Sequence, residues 1–333
     1  MSECVLVTGG AGYIGSHVVR ELLKAGYEPV VLDNLSSGHR RAVAPPADRL
    51  IVGDVADQEL VKRLVGERHC CAAIHFAASI SVAESVADPR KYFYNNTFKT
   101  SLFLNALVDA GVNAVVFSST AAVYGWPRRF PIIEDDPTAP VNPYGESKLM
   151  SEKILQHYDV AYGLKSVALR YFNACGADPD GGIGEDHPEE THLIPIILKV
   201  ALGQMAHVKI FGADYDTSDG TCVRDYIHVN DLAAAHVLAL RYVLQGGATT
   251  AFNLGNGLGY TVQQVIDAAR TVTGRHISTV LSERRPGDPA RLVASSVRIR
   301  DVLGWRPQYP ELESIISSAW KWHEEYPHGY EDR

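Results

Sequence analysis

Cys4-Val5-Leu6-Val7-Thr8-Gly9-Gly10-Ala11-Gly12-Tyr13-Ile14-Gly15-Ser16 is the stretch on which the fold turns. Its apolar run at 5–7 has the length of a buried parallel strand, and Val18, Val19, Leu22 and Leu23 follow at helical spacing. Gly9 permits a tight turn, Gly12 lets backbone amides approach a pyrophosphate, and Gly15 lets the helix lie close to the strand. The helix start offers unpaired N–H groups and a positive dipole end to an anion. Glycine-rich turns are common, so the next strand decides. Residues 29–32 read as that strand, and it ends in Asp33, 18 residues past Gly15, where a carboxylate accepts the hydroxyls of an adenosine ribose. Asp33 repels a 2′-phosphate and so favours NAD over NADP, a preference that Arg40 and Arg41 soften.

Strand and helix patterns keep alternating beyond this unit. Residues 50–52 read as a strand followed by Gly53-Asp54-Val55, with Asp54 either at the adenine edge or capping the helix at 58–65. Next come a strand at 72–76 ending near Phe76-Ala77-Ala78-Ser79, a long helix at 89–110, and a strand at 114–117 that delivers Ser118-Ser119-Thr120. A proline-rich loop leads to a helix opening near Tyr144, then to a strand at 167–170. This alternation predicts an α/β fold with a doubly wound parallel (Rossmann) sheet. From 176 to 190 the chain is rich in Gly, Pro and Asp, and a smaller C-terminal α/β lobe with short elements is expected after it. The expected division is 1–174 for the dinucleotide domain and 175–333 for the second lobe, with 225–257 returning to the first.

At 333 residues, 46% hydrophobic and 21% charged, the chain has the composition of a globular protein with a full core. A net charge of −8 excludes a general nucleic-acid or acidic-membrane surface, and no apolar run has membrane-spanning length. Five cysteines without a Cys-x-x-Cys spacing, and a first strand that leaves no room for a signal peptide, point to reduced thiols in the cytoplasm.

Tyr144 and Lys148 are four apart and share one helix face. A free tyrosine, with a pKa of about 10, is a poor base, and bringing it to about 7 takes roughly 4 kcal/mol. The Lys148 ammonium and a positive nicotinamide ring in a desolvated site are expected to supply that. Thr120 or Ser119, on the neighbouring strand end, would bond the same substrate hydroxyl. Tyr144, Lys148 and Thr120 thus form a base set that removes an alcohol proton as a hydride leaves to NAD.

Thr8-Gly9-x-x-Gly12-x-x-Gly15, Asp33-Asn34, Ser118-Ser119-Thr120-Ala121-Ala122-Val123-Tyr124-Gly125 and Tyr144-x-x-x-Lys148 resemble the extended short-chain dehydrogenase/reductase superfamily. Arg170-Tyr171-Phe172-Asn173, Gly184-Glu185-Asp186, the run from Val223 to Val229, Asn253-Leu254-Gly255, Arg284-Arg285-x-Gly287-Asp288 and the ending from Tyr326 to Tyr330 narrow the resemblance to the UDP-glucose 4-epimerase family, over essentially the whole chain. The resemblance implies that Tyr13, Ile14, Asp33, Asn34, Asp54, Val55, Phe76, Ala77, Asn95 and Ser118 hold NAD on the Gly9–Gly15 turn. Lys148 would bond the nicotinamide ribose, with Tyr144, Tyr171 and Phe172 near the nicotinamide. It assigns Thr120, Tyr144, Asn173, His192, Leu193, Phe211, Arg224, Tyr226, Arg285, Asp288 and Leu292 to the UDP-sugar, with Phe211 and Tyr226 flanking uracil and the two arginines on the diphosphate. The implied reaction inverts C4 through a transient 4-keto sugar with NAD retained, and the implied assembly is a homodimer paired through the helices at 89–110 and 144–162.

Three positions depart from the family pattern: Ile80 replaces a cofactor-contacting lysine, His192 an asparagine on UDP, and Leu292 a residue whose size selects sugars. A 4-epimerase of UDP-N-acetylglucosamine, a UDP-uronate or a UDP-pentose is the alternative that Leu292 leaves open. A nucleotide-sugar dehydratase needs an acid and a base after Thr120, where Ala121 and Ala122 stand, and an NAD-sensing protein would not need both Tyr144 and Lys148. His187, Glu189, Glu190 and His192 match no common zinc spacing and the chemistry needs no metal, so none is expected.

Overall fold

The computed structural model describes residues 2–285 and 289–331. Seven parallel strands form the central sheet, in the order Thr250–Leu254, Lys165–Tyr171, Ala114–Thr120, Cys70–His75, Cys4–Thr8, Glu28–Asp33 and Leu50–Val52. The order reverses between Cys4–Thr8 and Cys70–His75, which opens a crevice at the carboxyl ends of those strands. The doubly wound sheet expected from the alternation is therefore present. Its strands read as apolar runs because both faces are covered. On one face Val18, Val19 and Leu22 of helix Tyr13–Lys24 pack with Leu232, Val237 and Leu240 of helix Val229–Leu244. On the other, Leu64, Phe103, Leu107 and Leu155 come from helices Gln58–Arg68, Lys99–Asp109 and Pro143–Tyr162.

The helix expected at 89–110 is a continuous path with a change of pitch. Pro89–Tyr92 and Lys99–Asp109 are α-helical, and Phe93–Phe98 between them forms a π-helical stretch that contains Asn95 and Asn96. Helix Gln58–Arg68 is capped by Asp57, whose carboxylate accepts the Leu60 N–H at 3.0 Å, so Asp54 is not the cap.

The smaller lobe has its own core. Ile194, Ile197 and Leu198 of helix Leu193–Ala201 meet Val265 and Ile266 of Val262–Thr273 and Ile315 and Ile316 of Leu312–Glu325. Val208–Phe211 pairs with Thr279–Ser282, and Val223–Arg224 is flanked by Tyr260–Thr261 and Arg291–Leu292. The chain crosses back through Tyr226–His228 and helix Val229–Leu244 to add the edge strand Thr250–Leu254 beside Lys165–Tyr171.

Candidate active site

The glycine turn opens at the crevice. A Cβ on Gly15 would lie 2.2 Å from the Gly9 carbonyl oxygen, so only glycine lets the helix start this close to the strand. Gly12 is the N-cap and has no side chain to close the first turn, which leaves an anion seat of backbone amides. Asp33 is nearly buried at the end of its strand. Its oxygens accept the Ala11 N–H at 3.0 Å and the Leu35 N–H at 2.8 Å, tying the acid to the turn. Burial raises its pKa, while those two bonds and His39 pull the other way. The cradle and the acid fit a dinucleotide with free ribose hydroxyls.

Other expected cofactor residues line or support this crevice. Ala77 touches the turn, where a Cβ on Gly9 would meet its nitrogen at 2.7 Å. Phe76 is half-buried against His236, with ring centroids 4.8 Å apart, and Val55 and Ile14 pack into the cores on opposite faces. Tyr13 donates its hydroxyl proton to the Gly176 carbonyl at 2.7 Å, so that hydroxyl bridges to the segment leading into the smaller lobe. Asn34 accepts the Ser36 N–H at 3.1 Å, and Asn95 donates to Ser79 Oγ at 3.3 Å. Both Asp54 oxygens carry a partner, Ala56 N–H at 2.9 Å and Lys99 Nζ at 2.5 Å. Burial works against its charge, yet the Lys99 bond holds its pKa below the usual value. Ile80, which stands where the family pattern has a lysine, is 48% exposed and brings no polar group.

Helix Pro143–Tyr162 carries Tyr144 and Lys148, the expected base pair. Asn142 caps it by accepting the Gly145 N–H at 2.9 Å, and Pro143 sits at its first position. A Cβ on Gly145 would come within 2.6 Å of the Ala122 carbonyl oxygen. That close approach sets the helix start against the segment that follows strand Ala114–Thr120 and brings Tyr144 beside Thr120, whose side chain pulls the phenol pKa down. Thr120 Oγ1 accepts the Ala122 N–H at 3.2 Å, which leaves its hydroxyl proton available to an acceptor. Tyr92 meets the Tyr144 ring edge-on at 6.4 Å. Strand alternation turns Ser119 to the opposite face, where it donates to Glu152 at 2.5 Å, so it does not share the role of Thr120.

Lys148 is buried and donates to the Ser118 carbonyl at 2.8 Å. Burial drives its pKa down to about 7, against the pull of Glu152, and burial raises that of Tyr144, partly offset by Thr120. Without a cofactor the phenol is therefore protonated at neutral pH, and the expected activation calls for the nicotinamide ring together with Lys148. Ser118 Oγ and the Tyr171 hydroxyl are 2.5 Å apart. Behind them lies a group that sequence reasoning missed: Arg170 bonds Glu152 through Nε at 3.0 Å and Nη2 at 2.6 Å and reaches the Tyr124 hydroxyl at 2.9 Å, all buried. The only sequence signal was Glu152 falling four residues after Lys148.

The expected substrate residues divide. Phe172 and Leu292 pack on one apolar cluster with Val123, Tyr124, Ile132 and Leu149, which brings Leu292 to the helix of Tyr144. The Arg285 guanidinium lies over the Phe211 ring at 4.1 Å. Asn173 donates to the Asp225 carbonyl at 2.7 Å, Arg224 reaches the Pro289 carbonyl at 3.0 Å, and Leu193 opens its helix half-buried. Tyr226 departs from expectation. It is 4% exposed in the core of the smaller lobe, so its ring offers no open face to uracil. His192 Nδ1 is committed to Glu185, leaving only its other nitrogen for a ligand. Asp288 lies outside the described residues.

Residues 5–255 match the NAD dependent epimerase/dehydratase family. The chain is 53% identical, over 99% of both sequences, to the UDP-glucose 4-epimerase of Lacticaseibacillus casei. It superposes with a TM-score of 0.93 at 46% identity on the UDP-glucose 4-epimerase from Brucella ovis in complex with NAD, covering 96% of this chain and 98% of that one. With the UDP-glucose 4-epimerase from Bifidobacterium longum in complex with NAD+ and UDP the TM-score is 0.92 at 39% identity, covering 98% and 100%. The chain belongs to the NAD dependent epimerase/dehydratase family, in its UDP-glucose 4-epimerase branch.

Proposed function

We propose that this protein is an NAD-retaining UDP-glucose 4-epimerase that interconverts UDP-galactose and UDP-glucose. The observation that carries the reading is Tyr144 at the start of helix Pro143–Tyr162, beside Thr120 at the strand end, with Lys148 buried on the same helix face. The Gly9–Gly15 turn, Asp33 and Asn34 hold the dinucleotide, supported by Asp54, Val55, Phe76, Ala77 and Asn95. Bound NAD supplies the hydride acceptor and, once reduced, the donor. Tyr144, as phenolate, takes the proton of the C4 hydroxyl and becomes a phenol, while Thr120 bonds the same hydroxyl. Lys148, with one bond spent on Ser118, presents its remaining protons to the nicotinamide ribose. Arg224, Arg285, Phe211 and Asn173 hold UDP, so that the 4-keto sugar stays tethered while it turns and Tyr144 returns the proton. Incubation of the purified protein with UDP-galactose, without added NAD, is expected to yield UDP-glucose. A strict requirement for added NAD after mild purification, or absence of product, would end this reading.

Residues 1–174, with 225–257, form the NAD domain in this reading, and 175–333 form the UDP-sugar lobe. Five free thiols suit a reducing cytoplasm, and no helix among the described residues is long and apolar enough to cross a membrane. A homodimer is supported by the exposed Val86, Tyr94, Phe98, Val160 and Tyr162 on helices around 82–109 and 143–162. Light scattering is expected to give twice the chain mass, and the mass of one chain would contradict the pairing.

Leu292 makes one wall of the sugar pocket apolar. Such a wall accepts a methyl group but leaves an N-acetyl amide unpaired, a loss of about 1–3 kcal/mol, or about ten- to a hundredfold in kcat/KM. UDP-glucose and UDP-galactose are expected to be preferred by that factor over the N-acetylhexosamine pair. Leu292→Tyr should lose the N-acetyl pair selectively; equal losses for both pairs would sink the pocket assignment.

A further inference from the structure

Four side chains converge on the segment 185–192. One oxygen each of Glu185 and Glu190 and one ring nitrogen each of His187 and His192 all lie within 4.8 Å of one another. His187 Nδ1 is 3.4 Å from both Glu185 Oε1 and Glu190 Oε2, and His192 Nδ1 is bonded to Glu185 and 3.9 Å from Glu190. A tetrahedral zinc ion with bonds of about 2.0–2.1 Å holds its ligand atoms about 3.3–3.4 Å apart, so the His187 separations match the edges of such a site, while the His192–Glu185 hydrogen bond is shorter than an edge and opens to admit an ion. The sequence spacing hid this arrangement because the fourth member is Glu185 rather than Glu189.

The mount is rigid. Glu190 Oε1 accepts the backbone N–H groups of Thr191 and His192, each at 2.8 Å, which fixes its carboxylate. The Glu185 carbonyl accepts Trp322 Nε1 at 3.4 Å, and a Cβ on Gly184 would lie 2.3 Å from the Trp322 ring. His187 packs its ring edge-on to Tyr13 at 6.4 Å. Both glutamate side chains are only 4% exposed, so two desolvated negative charges face two imidazoles. Either two imidazole protons or one dication balances them.

We propose that Glu185, His187, Glu190 and His192 form a closed four-ligand site for a zinc-class divalent ion. A donor set of two nitrogens and two carboxylates suits Zn²⁺ or Co²⁺ and not Ca²⁺ or Mg²⁺, which take six or more oxygens. The bound ion pins the 176–192 segment against Tyr13 on one side and against the start of helix Leu193–Ala201 on the other. It has no part in the hydride or proton steps.

The test titrates chelator-treated, full-length protein with CoCl₂ and then ZnCl₂. One equivalent of Co²⁺ is expected to give the intense visible d–d absorption of a four-coordinate ion, and Zn²⁺ should abolish it. His187→Ala and Glu190→Gln should each weaken binding by more than the roughly 10–100-fold loss typical of a change outside the ligand set. His187→Cys should keep the absorption and add a thiolate-to-cobalt charge-transfer band, which decides the matter even if the alanine variant does not fold. Only the weak spectrum of the hydrated ion in the unsubstituted protein, or a full-strength spectrum without the thiolate band in His187→Cys, would overturn the site and leave a proton-balanced cluster.

Discussion

Tyr144→Phe is expected to lower kcat by about 10²–10⁴-fold, the range for losing a positioned proton acceptor, while UDP-sugar affinity stays close to that of the unsubstituted protein. The substitution removes one oxygen and leaves the ring, so the edge-on contact with Tyr92 and the helix start fixed by Asn142 and Gly145 persist. The Thr120 hydroxyl keeps its bond from the Ala122 N–H. Because burial holds the phenol protonated in the cofactor-free protein, its activation comes with ligand binding. Single-turnover measurement of hydride transfer, with UDP binding followed by calorimetry, separates the two quantities. A near-normal rate would make another group the base, and a parallel loss of UDP affinity would mean a rearranged pocket.

Glu152→Ala is expected to destabilise the fold by about 3–5 kcal/mol, because it leaves the Arg170 guanidinium buried without its carboxylate. That is a large share of the ordinary stability of a domain, about 5–15 kcal/mol. Four bonds go at once: three from Arg170 and one from Ser119. Replacing both members, as Glu152→Leu with Arg170→Met, should recover most of the loss, since two apolar side chains need no compensation. Denaturant unfolding of the three proteins measures this. If the single variant is as stable as the unsubstituted protein, or if the double variant is worse than the single, the pair does not behave as a buried ion pair. The single variant should also lower the charge on Lys148, because Glu152 pulls that lysine's pKa up against burial.

The nucleotide half was legible because its signals are local. Apolar runs, helical spacing and the glycines at 9, 12 and 15 act over a few residues, and Asp33 sits where the second strand ends. Tyr144 and Lys148 were legible for the same reason, as a pair one helical turn apart. What escaped was non-local. The Glu152–Arg170 pair joins a helix to a strand, and nothing near either residue in sequence marks the other as its partner. The Glu185–His192 cluster depends on a loop clamped by Trp322, a residue from the last helix. Ser119 was grouped with Thr120 because they are neighbours, yet successive side chains on a strand point to opposite faces. Tyr226 shows the limit of a motif: its ring belongs to the core of the smaller lobe, which only the tertiary structure reveals.

The edge strand Thr250–Leu254 pairs with Lys165–Tyr171 only after the chain has gone out to the smaller lobe and returned. During synthesis the flank of Lys165–Tyr171 is therefore complete only once about 80 further residues have been made, which takes about 4–16 s at typical elongation rates. Through that interval the nascent chain carries an open β edge made of Val167 and Leu169, apolar residues that end up wholly buried. Chains interrupted between the two strands would keep that edge for good, and would be the species most prone to aggregate on the ribosome or to engage a chaperone.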